Sequence, residues 1–185
     1  MELGIRVNLM STEIIVITGP ESSGKTTLAG QLSNSWKTPL VPEIARDYLK
    51  EKIYYQKSDL LKIAKQQHKK EQALLSHSPE KLVCDTDLLV IMIWSEVKYG
   101  HCDQWICKTF ENNINQQSST RHYFLCDSKI PWRADPLREN PHDRSELFNL
   151  YLKKLKEYDL NYNVVRGNPQ ERLQQILNRS DSRKS

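Results

Sequence analysis

The stretch that decides the fold is GPESSGKT, at residues 19–26. It fits G-x-x-x-x-G-K-S/T, the P-loop pattern, in which glycines let successive backbone N–H groups turn toward one anion. A β-branched apolar run precedes it at 13–18, and helical apolar spacing follows at 27–32. The sequence therefore predicts a strand, a glycine loop and a helix in succession, which is the context that separates a phosphate-binding loop from a chance glycine turn.

The predicted loop gives each residue type a role. Lys25 is expected to reach the terminal phosphates as a point charge, and Thr26 to ligate Mg²⁺ through its hydroxyl. The helix that follows adds the positive end of its dipole. The expected nucleotide-binding residues are Gly19, Glu21, Ser22, Ser23, Gly24, Lys25, Thr26, Thr27 and, in a later turn, Gly167.

Composition limits the class of protein. A length of 185 residues suits one domain over 1–185, and 38% hydrophobic with 27% charged residues is ordinary for a soluble globular protein. No apolar run approaches the roughly 20 residues of a spanning helix, and no basic leader precedes an apolar stretch. The net charge of +4 is spread along the chain, which favours small anionic substrates over nucleic acid. We expect a cytoplasmic protein with reduced cysteines and neither a nucleic-acid nor a membrane partner.

Strand-like runs alternate with helical segments along the chain. They lie at 13–18, 40–41, 81–84, 121–126 and 162–166. Strands joined in this way pair in parallel through right-handed crossovers, so the predicted fold is α/β: a P-loop NTPase/kinase fold whose five-stranded parallel sheet has helices on both faces. Ligands bind at the carboxyl ends of such strands. Besides the P-loop, those ends carry Glu43, Asp85, Asp87, Asp127 and Gly167.

A P-loop alone does not separate a small-molecule kinase from a GTPase switch or a motor ATPase. The Asn-Lys-x-Asp stretch of a guanine-specific switch is missing, and Thr86 follows Asp85 where a motor ATPase places a Glu. Phosphoryl transfer to a hydroxyl instead needs a carboxylate for the proton, a metal, and cations around the transferred group. Asp85 is expected to join Thr26 on the metal side. The candidate catalytic residues are Lys25, Glu43, Asp87, Arg133 and Arg138, the two arginines in a predicted lid at about 129–144.

These assignments have simpler alternatives. Glu43 and Arg46, one helical turn apart, form a surface ion pair in one of them. A second alternative is that Asp87 only caps its helix. A third is that the lid arginines belong to a solvated face. The aromatic residues that either stack on a substrate ring or pack in the core are Trp94, for which the core is favoured, Tyr99 and Trp105.

Together these motifs resemble the ribosylnicotinamide kinase domain of NadR-type proteins, a branch of the P-loop kinases. The matching pieces are GPESSGKTTLA at 19–29, VPEIARDYL at 41–49, CDTDLL at 84–89, KYGHC at 98–102 and PWRADPLRENPHDRSELF at 131–148. The resemblance implies that ATP, with Mg²⁺, phosphorylates the ribose 5′-hydroxyl of nicotinamide riboside to give nicotinamide mononucleotide in NAD salvage. It implies a stand-alone kinase, because the chain has no room for the adenylyltransferase or DNA-binding domains of larger members.

Other functions stay open at this point. A different nucleoside is one possible acceptor, and a monophosphate is another, for which Arg46 supplies the cation that the acceptor site would need. A non-catalytic regulatory module would bind ATP and a partner protein without phosphorylating any acceptor. Residues 180–185 are expected to form a flexible tail.

Overall fold

A computed structural model describes residues 11–52, 54–116, 119–127 and 144–181. The elements, in chain order, are β1 (Thr12–Thr18), α1 (Lys25–Trp36), β2 (Leu40–Val41), α2 (Ile44–Leu49), α3 (Lys57–Leu75), β3 (Lys81–Asp85), α4 (Leu88–Tyr99), α5 (Gln104–Ile114), β4 (Ser119–Cys126), α6 (Arg144–Glu157), β5 (Tyr162–Val165) and α7 (Pro169–Asp181). The predicted alternation of strands and helices is confirmed. The predicted lid up to residue 143, with Arg133 and Arg138, lies outside the described residues.

The described strands form one parallel sheet of five, in the order β2-β3-β1-β4-β5. β1, which leads into the P-loop, lies at the centre between β3 and β4. Because all the strands run in the same direction, their carboxyl ends share one edge of the sheet. The P-loop, Glu43 and Asp85 therefore come to the same edge, as the sequence predicted.

Helices cover both faces of this sheet. Along β1, Ile14 and Val16 pack into one core with α3, α4 and α5, while Ile15 and Ile17 pack into a second core with α1 and α7. Successive side chains of a strand point to opposite faces, so an unbroken apolar run is what a strand buried on both sides requires. The β-branched run before the P-loop is thus explained by its central place in the sheet.

Two helix ends differ from the sequence expectation. Residue type favours Ser58 as the cap of the long helix, but α3 already begins at Lys57. The Asp59 carboxylate accepts the Gln56 N–H at 2.9 Å, which makes Gln56 the capping position. At the other end of the chain, α7 runs to Asp181, so the first two residues of the predicted tail are helical. None of the helices in the described ranges combines the length and the apolar character that crossing a bilayer requires.

Candidate active site

The loop after β1 is held in a conformation that favours glycine. Gly19 has a φ of 136° and Gly24 a φ of 80°. A Cβ on Gly19 would lie 2.8 Å from the carbonyl oxygen of Cys126, at the end of the neighbouring strand. Glycine is therefore favoured at position 19 for two reasons: the positive φ, and the close approach of its backbone to that of Cys126. Ser22 also has a positive φ, 56°, and strain of this kind is concentrated at functional loops.

Side chains of the loop converge on one of its own carbonyl oxygens. The Lys25 ammonium donates to the Pro20 carbonyl at 2.8 Å, and the Ser23 hydroxyl donates to the same oxygen at 2.7 Å. Since α1 begins at Lys25, the N–H groups of its first turn have no partners within the helix and its dipole is positive at this end. These N–H groups and the helix dipole would favour binding of an anion at this end of α1.

A cavity of about 350 Å³ opens in front of the P-loop. All eight of the residues between 19 and 27 that were predicted to bind nucleotide line it. The other lining residues are Glu43, Arg46, Val90, Trp94 and Tyr151. The volume of the cavity is that of a small-molecule site, and its lining combines polar and charged groups with one aliphatic and two aromatic side chains. The structure therefore brings Glu43 together with the P-loop around one space.

Glu43 directly follows β2 and precedes α2. Its carboxylate lies 3.6 Å from the Arg46 guanidinium, and the two side chains are 15% and 49% exposed. The ion pair of the simpler alternative therefore exists, but both of its members line the cavity. A partly exposed pair contributes less than about 1 kcal/mol. Little therefore holds the carboxylate to Arg46, and it can turn to a hydroxyl in the cavity.

Asp85 ends β3 with 2% of its surface exposed. The Thr26 hydroxyl hydrogen-bonds to its carboxylate, and its Oδ1 has no hydrogen-bond partner among the described residues. Burial and then the charge of Glu43 raise the pKa of Asp85 to about 6. A buried carboxylate oxygen without a partner, next to a hydroxyl, is a donor set that suits Mg²⁺. The predicted metal residues thus fit the ion.

Replacing Asp85 by Asn should separate metal binding from folding. Asparagine keeps the shape but loses the anionic oxygen, so Mg²⁺-dependent turnover should fall by about 10- to 100-fold. Removing a buried, incompletely paired charge should leave the melting temperature in EDTA unchanged or raise it. Initial rates across a Mg²⁺ titration and thermal unfolding measure the two effects, with the exposed Asp47→Asn as the control. An unaltered Mg²⁺ dependence would show that Asp85 does not serve the metal.

Asp87 lies behind the cavity and not in its wall. Its Oδ1 accepts the Leu89 N–H at 3.0 Å. Its Oδ2 accepts the Tyr123 hydroxyl at 2.8 Å and lies 3.2 Å from the Arg121 guanidinium. Both oxygens are engaged and the residue is 2% exposed, so the geometry does not place Asp87 to take a proton from an acceptor. The alternative role, as the cap of α4, is the one that the structure supports.

Arg121 joins Asp87 to a second buried carboxylate. Its guanidinium contacts Glu71 of α3 at 2.5 Å and Asp87 at 3.2 Å, and the three side chains are at most 5% exposed. α4 supplies Val90 and Trp94 to the cavity. The network therefore connects α4, which contributes to the lining of the cavity, to the long helix α3.

Substituting Arg121 by Met should destabilise the fold strongly. Two carboxylates would be left buried without their cation, which costs about 3–5 kcal/mol in the free energy of unfolding. Urea unfolding measures this change. Arg166 pairs with Asp127 at 3.6 Å but is 68% exposed, so Arg166→Met should cost less than about 1 kcal/mol. An equal decrease in the free energy of unfolding in the two variants would mean that the buried network contributes no more to stability than the exposed ion pair.

Aromatic side chains form part of the lining of the cavity. Trp94 packs partly against the core, the position that the sequence analysis favoured for it. It also lines both the main cavity and a smaller adjoining one of about 40 Å³. Tyr55 stacks on it, with ring centroids 6.3 Å apart and planes at 24°. Tyr151 also lines both cavities. A planar ring would therefore meet aromatic surface on entering this space.

The remaining candidates lie elsewhere. The Tyr99 hydroxyl donates to the Tyr55 carbonyl at 3.0 Å, and Trp105 packs edge-on against His68. Gly167 follows β5 with a φ of 92°, outside the cavity wall. None of these three lines the cavity, and Gly167 stays a predicted nucleotide-binding residue.

Several cavity residues escaped the sequence analysis. Tyr151 is one of the apolar residues at helical spacing in α6, and nothing local marks it as a cavity residue. Val90 is likewise indistinguishable from its apolar neighbours in α4. Arg46 differs from these two, because it was predicted from the sequence as the cation that a monophosphate acceptor would need. Only the tertiary arrangement shows which side of each helix meets the P-loop.

Comparisons with known proteins identify the family of the chain. A family model described as an AAA domain matches residues 14–172. The trifunctional NAD biosynthesis/regulator protein NadR of Escherichia coli (strain K12) is 28% identical over 162 residues, which are 80% of this chain and 37% of that protein. The resemblance predicted from the motifs is therefore confirmed. The chain spans little more than a third of the length of the curated relatives that it matches.

Solved structures share the fold. A deoxyadenosine kinase from M. mycoides, with the products dCMP and a flexible dCDP bound, superposes with a TM-score of 0.63 at 18% identity, over 91% of this chain and 99% of that one. A NadR protein in complex with NR gives a TM-score of 0.63 at 17% identity, over 84% of this chain and 45% of that one. These likenesses confirm the predicted P-loop kinase fold.

Proposed function

The chain belongs to the AAA domain family, and on that premise we propose that it transfers a phosphoryl group from ATP to the ribose 5′-hydroxyl of nicotinamide riboside. The observation that carries the proposal is that Glu43 and the P-loop residues line one cavity. A phosphate donor and a hydroxyl acceptor can thus meet between an anion-binding loop and a carboxylate. The NadR relative and the NadR structure in complex with NR support this choice of acceptor.

In the proposed reaction, Glu43 accepts the proton of the 5′-hydroxyl as that oxygen attacks the γ-phosphorus. The bond from the γ-phosphorus to the bridging oxygen of ADP breaks, and ADP leaves with the bonding pair. Lys25 stabilises the charge on the transferred group and on the leaving oxygen. Mg²⁺, held on the Thr26 and Asp85 side, would neutralise charge on the phosphates when bound. Arg133 and Arg138 remain proposed as lid cations.

The aromatic wall supports a ring-bearing acceptor. Trp94 and Tyr151 line the same cavity as Glu43, Tyr55 lines the smaller adjoining one, and flat aromatic surfaces stack well on planar rings. A pyridinium ring such as that of nicotinamide riboside would in addition gain from a cation–π contact.

Since all four cysteines are free thiols, the expected cytoplasmic location belongs to the same proposal.

A nucleotide kinase is the second candidate. The observation that favours it is Arg46, a cation in the lining of the cavity that could receive a monophosphate. An acceptor panel with ATP and Mg²⁺ separates the two, because nucleosides and their 5′-monophosphates compete in the same assay. We expect nicotinamide riboside to be phosphorylated with the highest kcat/KM. Preference for a monophosphate would overturn the proposal, and ATP binding without any phosphorylated acceptor would favour a regulatory module.

A further inference from the structure

Arg172, on α7, places a guanidinium inside the protein at the carboxyl edge of the sheet. The residue is 2% exposed. Its Nη1 donates to the Ser23 carbonyl at 2.6 Å, its Nη2 to the Asp127 carbonyl at 3.1 Å and its Nε to the Gly167 carbonyl at 2.8 Å. One planar fork of donors thus joins the loops that follow β1, β4 and β5.

The contact with Ser23 fixes the direction of a P-loop amide. In a trans peptide, the C=O of one residue and the N–H of the next point in opposite directions. With the Ser23 oxygen held on Arg172, the Gly24 N–H must turn to the other side of the loop, and Gly24 lines the cavity. The flexibility of glycine at φ 80° would otherwise allow this peptide to rotate.

Arg172 also leaves positive charge near the loop. Among the described residues it forms no ion pair with a carboxylate, and backbone carbonyl dipoles offset its charge only in part. Burial raises the pKa of the nearby Cys126 thiol to about 11, and the charges of Arg172 and Lys25 oppose that rise. Two cations therefore act on the same end of the sheet, and a bound phosphate would provide the missing anion.

We propose that Arg172 is a positioning residue for the phosphates of the nucleotide. It orients the P-loop backbone through the Ser23 carbonyl, and its charge adds positive electrostatic potential at the phosphate site without direct contact with the ligand. The inference rests on the proposed nucleotide site. Because its effect is on binding the phosphates, it should appear in affinity and KM for ATP and much less in kcat at saturation.

The test compares Arg172→Met and Arg172→Lys with the exposed Arg179→Met on the same helix. The probes are ATP and inorganic triphosphate alone, which can bind only through phosphate contacts. Arg172→Met should weaken both by about tenfold or more, as expected for the loss of charge-assisted hydrogen bonds, with kcat at saturation reduced less than about threefold. Arg172→Lys should bind with intermediate affinity, and Arg179→Met like the unsubstituted protein.

A merely structural Arg172 would lower the melting temperature and leave both affinities unchanged. Folded Arg172→Met that binds ATP and triphosphate within twofold of the unsubstituted protein therefore overturns the inference. If that variant does not fold, Arg172→Lys decides by the same criterion. An unsubstituted protein that binds neither probe overturns both proposals. One that binds ATP without phosphorylating a nucleoside contradicts the proposed function alone, since the affinity comparison stands.

Discussion

Lys25→Ala is expected to abolish phosphoryl transfer, with kcat/KM reduced by at least about 10³-fold. The ammonium lies within the P-loop, 2.8 Å from the Pro20 carbonyl, and lines the cavity. In the transition state it would stabilise negative charge that is spread over the transferred group, and no other described lysine lines this cavity. A coupled assay for ADP release, with direct detection of the phosphorylated acceptor, measures the loss.

The matched control is Lys153→Ala, which removes an exposed lysine of α6. It should leave the rate within about twofold of the unsubstituted protein, because exposed charges outside the site contribute little. Lys25→Arg keeps the charge but replaces a compact ammonium by a wider planar group, and should recover only a small part of the activity. Near-normal turnover in Lys25→Ala would remove the P-loop from the mechanism.

Glu43→Gln should lower kcat by about 10²- to 10⁴-fold, the usual contribution of a general base. The amide keeps the size of the side chain and cannot accept the hydroxyl proton. Affinity for ATP should change less than about threefold, because the proposed role of Glu43 is toward the acceptor hydroxyl, whereas the P-loop residues are proposed to hold the phosphates. Single-turnover rates and nucleotide titrations separate the two quantities.

The control for this substitution is Glu51→Gln, at an exposed position beyond the same helix. Asp87→Asn provides a second comparison, since it removes a carboxylate that is buried with Arg121. We expect Asp87→Asn to lower the free energy of unfolding more than it lowers the turnover of the folded protein. A Glu43→Gln variant with the full kcat, beside an Asp87→Asn variant that is stable and inactive, would reverse the assignment of the base.

The P-loop, Glu43 and Asp85 were predictable from the sequence because their positions depend on local rules. Each follows a short apolar strand, and parallel strands bring their carboxyl ends to one edge. What the pattern did not provide is the strand order. β3 lies between β1 and β2, so Asp85 is next to Thr26, and Glu43, which follows the outer strand β2, lies near enough for its charge to raise the pKa of Asp85.

The role of Asp87 could not be predicted from the local sequence pattern. It follows a strand end by two residues, as a catalytic acid or a helix cap would. Arg121 decides between them, because it lies in β4 and draws the carboxylate into the core behind the site. A pairing between residues 34 positions apart leaves no mark in the local pattern.

Arg172 and Tyr151 illustrate the same limit on the binding side. Arg172 is an arginine in an amphipathic helix, where a solvated position is the ordinary expectation. Its burial depends on three carbonyl groups from the separate loops that follow β1, β4 and β5. Tyr151 becomes part of the cavity only because α6 packs beside α4, and neither position could be distinguished from its neighbours along the chain.

The most direct test of the central claim is to incubate the protein with ATP, Mg²⁺ and nicotinamide riboside and to locate the new phosphate by phosphorus NMR and mass spectrometry. The proposed function predicts nicotinamide mononucleotide, phosphorylated at the 5′-oxygen, in amounts equal to the ADP formed and absent with Lys25→Ala. Release of inorganic phosphate in place of the mononucleotide, or no turnover of nicotinamide riboside by a protein that binds ATP, would contradict it.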